Sequence, residues 1–388
     1  MRYLLAAVLF FGILTLWVPG YWPVAVFEAS IFGLAISAIV RCRHTPLRFY
    51  YPLAPLVFSV CWGLFQLCAG LTVSAFETRM ALAHWATLLA ALVAGLLILH
   101  DARDLRWFRS AMLWFGFLVA AEATLQTFTA AGKVFWIFQS EYTERVMGPI
   151  LSPNHYAAFI ELVLPLAIYG SLRRERGALL YSAMAAAMYA SVVACWSRAG
   201  VVLASAEFVA VTVLLLLQGR TSGRAAGKAL LRVAALLLVF TALVGWGTVW
   251  GRLRTPDPFI HRREFAISSM RMIAAHPWVG TGMGTWPIVY PAYAMIDTGK
   301  FANRAHNDWL EWTAEGGLPF GIALLSLFLW CLRPAFHSVW GIGVIAVFLH
   351  AVVDYPFSRP ALAAWTVVFI AMLACAPRSP AAIGLTDG

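Results

Sequence analysis

Apolar residues along this chain come in blocks about as long as a bilayer is thick, broken by short stretches rich in arginine, glycine and proline. Windows of about 19 residues place such blocks at residues 3–19, 22–40, 51–71, 81–99, 108–128, 155–169, 178–196, 200–217, 229–249, 318–332, 337–353 and 361–375. A helix is the natural form for each, because it satisfies its own backbone hydrogen bonds in hydrocarbon. The pattern predicts an all-α membrane protein with about twelve transmembrane helices, forming a single polytopic domain over residues 1–388. The first block follows Arg2, but residues 14–22 offer no small-x-small cleavage site, so it reads as a retained helix.

Two polar stretches are longer than turns: residues 129–154, between the fifth and sixth blocks, and residues 250–317, between the ninth and tenth. The larger one predicts two short amphipathic helices. One runs over 264–275, with Phe265, Ile267, Met270 and Ile273 as its apolar positions; His276 and Pro277 stop it, and Gly280, Gly282 and Gly284 make the turn that follows. The second runs over 307–315, where Trp309, Leu310 and Trp312 make an apolar face suited to the membrane surface, and Gly316 with Gly317 ends it.

Composition agrees with the pattern. The chain has 388 residues, 62% hydrophobic and 12% charged, against roughly half and a quarter in a soluble domain. The net charge of +10 would suit nucleic acid, but the cations sit in short clusters between apolar blocks. Placing the N-terminus in the cytoplasm puts Arg41, Arg43 and Arg48, then Arg103, Arg106 and Arg109, then Arg173, Arg174 and Arg176, then Arg220, Arg224, Lys228 and Arg232 on the same side. That asymmetry sets the expected orientation, with both termini inside and both long loops outside. The six cysteines lie in or beside apolar blocks and show neither a disulfide framework nor metal spacing.

Candidate chemistry concentrates outside. Arg304, Ala305, His306, Asn307 and Asp308 lead into Glu311 and Glu315. An imidazole, whose unperturbed pKa lies nearest neutrality, set among carboxylates and arginines at the mouth of a membrane cavity, suits a general base. The plainer reading is a helix start capped by Asn307 or Asp308. Arg198 sits in a very short turn between the seventh and eighth blocks, where it either clamps a diphosphate together with Arg262 or Arg263, or simply snorkels to the interface. Asn154 and His155 open the sixth block, Asn154 by default as a cap and His155 with a weaker claim as a substrate contact. Glu122, Glu161, Glu207 and Asp354 fall within spans, where structural pairing is the default; His350 lies one turn before Asp354. Gly280, Gly282 and Gly284 follow no strand and are no dinucleotide fingerprint, and no histidine set has zinc spacing.

At these residues the chain resembles the O-antigen ligase and polymerase family of bacterial inner-membrane proteins. The matching runs are 148–157 (GPILSPNHYA), 197–200 (SRAG), Arg262 followed by 276–284 (HPWVGTGMG), 305–317 (AHNDWLEWTAEGG) and 350–360 (HAVVDYPFSRP). The likeness covers about 148–354, while the first four spans match in hydropathy alone. It implies metal-independent, cofactor-free transfer of a glycan from an undecaprenyl-diphosphate-type carrier to an acceptor hydroxyl at the periplasmic face, with lipid A core as the leading acceptor. It assigns the catalytic histidine role to His306 and the diphosphate-binding roles to Arg198 and Arg262. Arg263 is adjacent, and the family's usual downstream tryptophan is replaced by Phe265 or Ala266, so Arg263 stays open as the second clamp. Arg304, Asn307, Asp308, Asn154 and His155 are supporting residues. The expected partners are the lipid-linked donor, a lipid or glycan acceptor, and membrane lipids. Polymerase of repeat units and protein O-oligosaccharyltransferase share these motifs. A glycolipid transporter or flippase is the rival from another class, although such folds show two related halves with midplane sites, and these halves differ.

Overall fold

The computed structural model describes residues 1–42, 50–139, 147–173, 177–244, 259–296 and 301–375. Arg43, Arg48, Arg174, Arg176, Arg252, Arg254, Asp257, Asp297 and Lys300 lie outside the described residues, as do parts of both long loops and the end of the ninth predicted block.

Twelve helices coincide with the twelve apolar blocks. They are α1 (Arg2–Leu14), α2 (Trp22–Arg41), α3 (Leu53–Cys68), α4 (Ala75–Ile98), α5 (Ala102–Thr129), α6 (Pro153–Arg173), α7 (Ala178–Cys195), α8 (Arg198–Leu217) and α9 (Gly223–Val244), followed after the loop by α12 (Asp308–Ala335), α13 (Val339–His350) and α14 (Pro360–Cys375). Among the described residues two more helices lie in the larger loop, α10 (Phe259–Ala275) and the single turn α11 (Trp286–Val289). Seven of the helices (α2, α4, α5, α6, α7, α8 and α12) are long and apolar enough to cross a membrane, and α1, α3, α13 and α14 are shorter apolar helices. After α5, Lys133 pairs with Gln139 and Val134 with Phe138 in a small antiparallel hairpin.

Helix α6 is the hub. It packs against α5, α7, α8 and α13, and nearly every side chain along it is buried. The outer helices keep apolar residues such as Ile36, Val202 and Leu231 exposed, as lipid-facing surfaces do. Where α13 crosses α6, Gly343 permits contact between backbones: a Cβ there would lie 2.4 Å from the Leu162 carbonyl oxygen. At that crossing the His350 Nδ1 atom meets both oxygens of the Glu161 carboxylate, at 2.9 and 3.0 Å, with both side chains wholly buried.

The loop helices differ from expectation in which faces they bury. On α10 the buried positions include Glu264, Ser268 and Met272, one helical stripe, while Met270 is exposed. Polar groups can be buried there because they are satisfied: Glu264 accepts hydrogen bonds from Ser268 Oγ at 2.8 Å, from the Met295 amide at 3.0 Å and from the Tyr290 hydroxyl. The predicted helix over 307–315 is present as the first part of α12. Gly317 (φ 73°, ψ 178°) breaks that helix just ahead of the apolar run. Its tryptophans are turned inward rather than laid on a membrane surface. Trp312 packs edge-on against Trp85 and Phe357, and Trp309 donates its indole N–H to the Phe348 carbonyl at 3.0 Å.

Candidate active site

One local design recurs at three helix starts. Leu151 (φ 56°), Trp196 (φ 68°) and His306 (φ 51°) occupy the left-handed region, each two residues ahead of the first residue of α6, α8 or α12. The residue between then caps the helix. Ser152 Oγ accepts from the His155 amide at 3.5 Å, Ser197 Oγ from the Gly200 amide at 3.1 Å, and Asn307 Oδ1 from the Leu310 amide at 3.0 Å. Bulky residues rarely take positive φ, and such strain persists only where surrounding contacts enforce it, most often at functional sites. The cap of α6 is therefore Ser152, not Asn154, which is half-buried beside it.

The three starts meet at one end of the bundle. Gly200 in α8 sits against Ala157 in α6 so closely that a Cβ at Gly200 would fall 2.5 Å from that of Ala157. The His155 ring lies 4.6 Å from the Tyr355 ring, and Tyr355 lies 4.8 Å from His306, both edge-on. Three positive helix ends thus converge with Arg198, which is exposed at the first position of α8.

His306 is the centre of this cluster. Its Nδ1 lies 3.2 Å from Asp354 Oδ1; the imidazole keeps 31% of its surface exposed while the carboxylate keeps 3%. Phe265 lies parallel to the imidazole at 6.0 Å, with an interplanar angle of 8°. Asp354 also accepts from the Tyr355 amide at 3.0 Å. Burial alone would raise the Asp354 pKa, but the His306 hydrogen bond and the neighbouring His155 and His350 outweigh it and hold the carboxyl well below the ordinary aspartate range. With an ionised carboxylate at Nδ1, the proton of a neutral His306 sits on that nitrogen and Nε2 is left as the basic atom.

The supporting residues fix this pair in place. Asp308 is buried; its amide bonds the Ala351 and Asp354 carbonyls at 2.9 and 3.2 Å, and its Oδ2 accepts from the Phe357 amide at 3.0 Å. The start of α12 is thereby tied to the chain leaving α13. Arg304 Nη1 meets Glu311 Oε1 at 2.7 Å. Burial would lower the Arg304 pKa, yet the Glu311 carboxylate raises it, so the guanidinium stays charged. His155 is wholly buried, with Nδ1 accepting from Arg359 Nε at 3.3 Å and its ring edge-on against Tyr355.

The two candidate second arginines differ. Arg262 is half-buried and lies one turn before Phe265 on α10. Arg263 is exposed. Asp354, Tyr355, Phe265 and Arg359 complete the cluster, beyond the site residues the sequence points to. Asp354 and Phe265 had visible signals, an intramembrane acid and a departure from the family pattern. Nothing in the sequence marks Tyr355 or Arg359 beyond the run that contains them.

Residues 166–325 match the sequence profile of a family described as O-antigen ligase. The matched segment contains Arg198, Arg262, Arg304 and His306, and stops short of Asp354. No curated protein matches the chain.

Proposed function

We propose, from the match of residues 166–325 to the profile of the O-antigen ligase family, that this membrane protein is a glycosyltransferase. In this reading it moves a glycan from a polyprenyl-diphosphate carrier to a hydroxyl of a lipid-anchored acceptor, lipid A core. The chain lies in the bacterial inner membrane with twelve spans and both termini in the cytoplasm. The loops over 129–154 and 250–317 face the periplasm, and so does the site.

The observation that carries the reading is the His306–Asp354 pair at 3.2 Å, partly open at one bundle end where the starts of α6, α8 and α12 meet, with Arg198 opening α8 and Arg262 one turn before Phe265, which stacks on the imidazole. Asp354 orients the ring, and Nε2 removes the proton from the acceptor hydroxyl as its oxygen attacks the anomeric carbon. The bond from that carbon to the carrier's phosphate oxygen breaks and the electron pair leaves with the diphosphate. Arg198, Arg262 and the helix ends offset the charge that develops there. Attack opposite the leaving group inverts the anomeric centre. In this scheme the arginines supply the cationic charge that offsets the departing diphosphate.

The test is transfer by the purified protein in nanodiscs, supplied with an undecaprenyl-diphosphate-linked oligosaccharide and, in turn, lipid A core, polysaccharide and protein acceptors. Transfer to lipid A core that is lost in His306→Ala, with donor affinity intact, supports the reading. No transfer to any acceptor sinks it.

A further inference from the structure

Arg359 stands apart from the arginines already described. Arg2 meets Asp104 and Arg304 meets Glu311. Arg359 is half-buried, and its side chain makes one hydrogen bond, from Nε to His155 Nδ1 at 3.3 Å. Its two terminal nitrogens have no hydrogen-bond partner, and no carboxylate lies within ion-pair distance, among the described residues. Those nitrogens are not buried, so a ligand's oxygens can reach them.

The same residue lines a cavity of about 220 Å³ whose other walls come from the α1–α2 hairpin, including Thr15, Leu16, Val24 and Phe27, and from Pro360 and Ala361 at the start of α14. Those walls are mostly apolar. Sugar hydroxyls would find few partners there, whereas methylene chains would lose nothing by entering. A guanidinium in the wall of a mostly apolar slot among membrane helices fits a phosphate attached to a lipid.

We propose that Arg359 and the cavity between α1 and α2 form a subsite for a lipid-borne phosphate of the acceptor, separate from the donor's diphosphate. This rests on the transferase reading above. Arg262 belongs to the helix that presents Phe265 to His306, while Arg359 reaches His306 through His155 and Tyr355. The two arginines therefore approach the imidazole through different neighbours, as two anionic substrates on either side of one base require.

The experiment measures binding in nanodiscs made of zwitterionic lipid, with a phosphorylated glucosamine-disaccharide lipid and the same lipid after phosphatase treatment. Wild-type protein should prefer the phosphorylated form by about tenfold or more, the value of one charge-assisted contact. Arg359→Gln should remove that preference without changing affinity for undecaprenyl diphosphate, Arg359→Lys should keep part of it, and Thr15→Trp, which fills the cavity, should abolish it. An Arg359→Gln variant that weakens both lipids equally would show that the arginine only steadies His155 and would overturn the subsite. Equal competition by phosphatidylglycerol would make bulk lipid the occupant and overturn its assignment to the acceptor. Phosphate-selective binding without any transfer would leave the subsite standing and sink the transferase reading instead.

Discussion

The Glu311 carboxylate accepts from the Arg304 guanidinium with one oxygen, at 2.7 Å, and from the Ala305 amide with the other, at 2.8 Å. One side chain in the first turn of α12 thus holds the two residues that deliver His306, whose φ of 51° is unfavourable without such support. Replacing Glu311 with alanine leaves Arg304 without its carboxylate. Because Arg304 keeps 35% of its side chain exposed, water softens the loss, and a cost of about 1–2 kcal/mol is expected rather than that of a fully buried pair. Transfer should fall at least about tenfold, since small displacements of a base are felt strongly. Thermal unfolding and initial rates measured on the same preparation check both figures.

Asp354→Asn keeps the shape of the pair and removes its charge. An amide that donates its N–H to Nδ1 favours the wrong tautomer of His306, and a rate loss of about a hundredfold to ten-thousandfold is expected with donor affinity little changed. The stability effect has a pH signature. The folded carboxyl is held below its ordinary value of 3.8, so its contribution is fully present above that value and is lost as pH falls towards the depressed folded value. The gap in stability between wild type and Asp354→Asn should therefore be constant from pH 7 to about pH 5 and shrink below about pH 4. Unfolding curves across that range decide it; a gap that widens on acidification would contradict the depressed pKa.

Gly317 joins the loop part of α12 to its apolar part with a backbone conformation nearly reserved for glycine, φ 73° and ψ 178°. A Cβ there would fall 2.5 Å from the Trp278 carbonyl oxygen, which is backbone and cannot turn aside. Across the same contact, a Cβ at Gly280 would lie 2.3 Å from the Glu315 carbonyl oxygen. Gly317→Ala is expected to cost about 2–4 kcal/mol and to lower the yield of folded protein. Gly33→Ala, inside α2 with nothing within 4 Å of the added methyl, is the control and should be neutral or mildly stabilising.

What could be read in the sequence follows the range of the interactions involved. Hydropathy located a helix in each of the twelve apolar blocks because that signal is spread over each of them. The stop at His276 and the break at Gly317 were legible because one residue suffices to end a helix. The inward turn of Trp309 and Trp312 was not, since a tryptophan face suits a membrane surface and a protein groove alike. For Asp354, 48 positions beyond His306, only folding brings the pair together. Burial of the stripe of Glu264, Ser268 and Met272 was not legible for a related reason, because partners 26 and 31 residues away make burial of the acid acceptable.

Glu161 and His350 provide the contrasting case of a histidine and acid with no route to a substrate. Both are wholly buried where α13 crosses α6, and they lie 2.9 Å apart. Removing one partner strands the other, so Glu161→Ala and His350→Ala should each destabilise the protein by roughly 1–3 kcal/mol. Replacing both with apolar residues of similar size, Glu161→Met with His350→Phe, should recover most of that loss, because no polar group is then left unpaired. Transfer activity should follow folded yield through all three variants. If the double variant were as stable as wild type yet inactive, the pair would have to be moved from the scaffold into the chemistry.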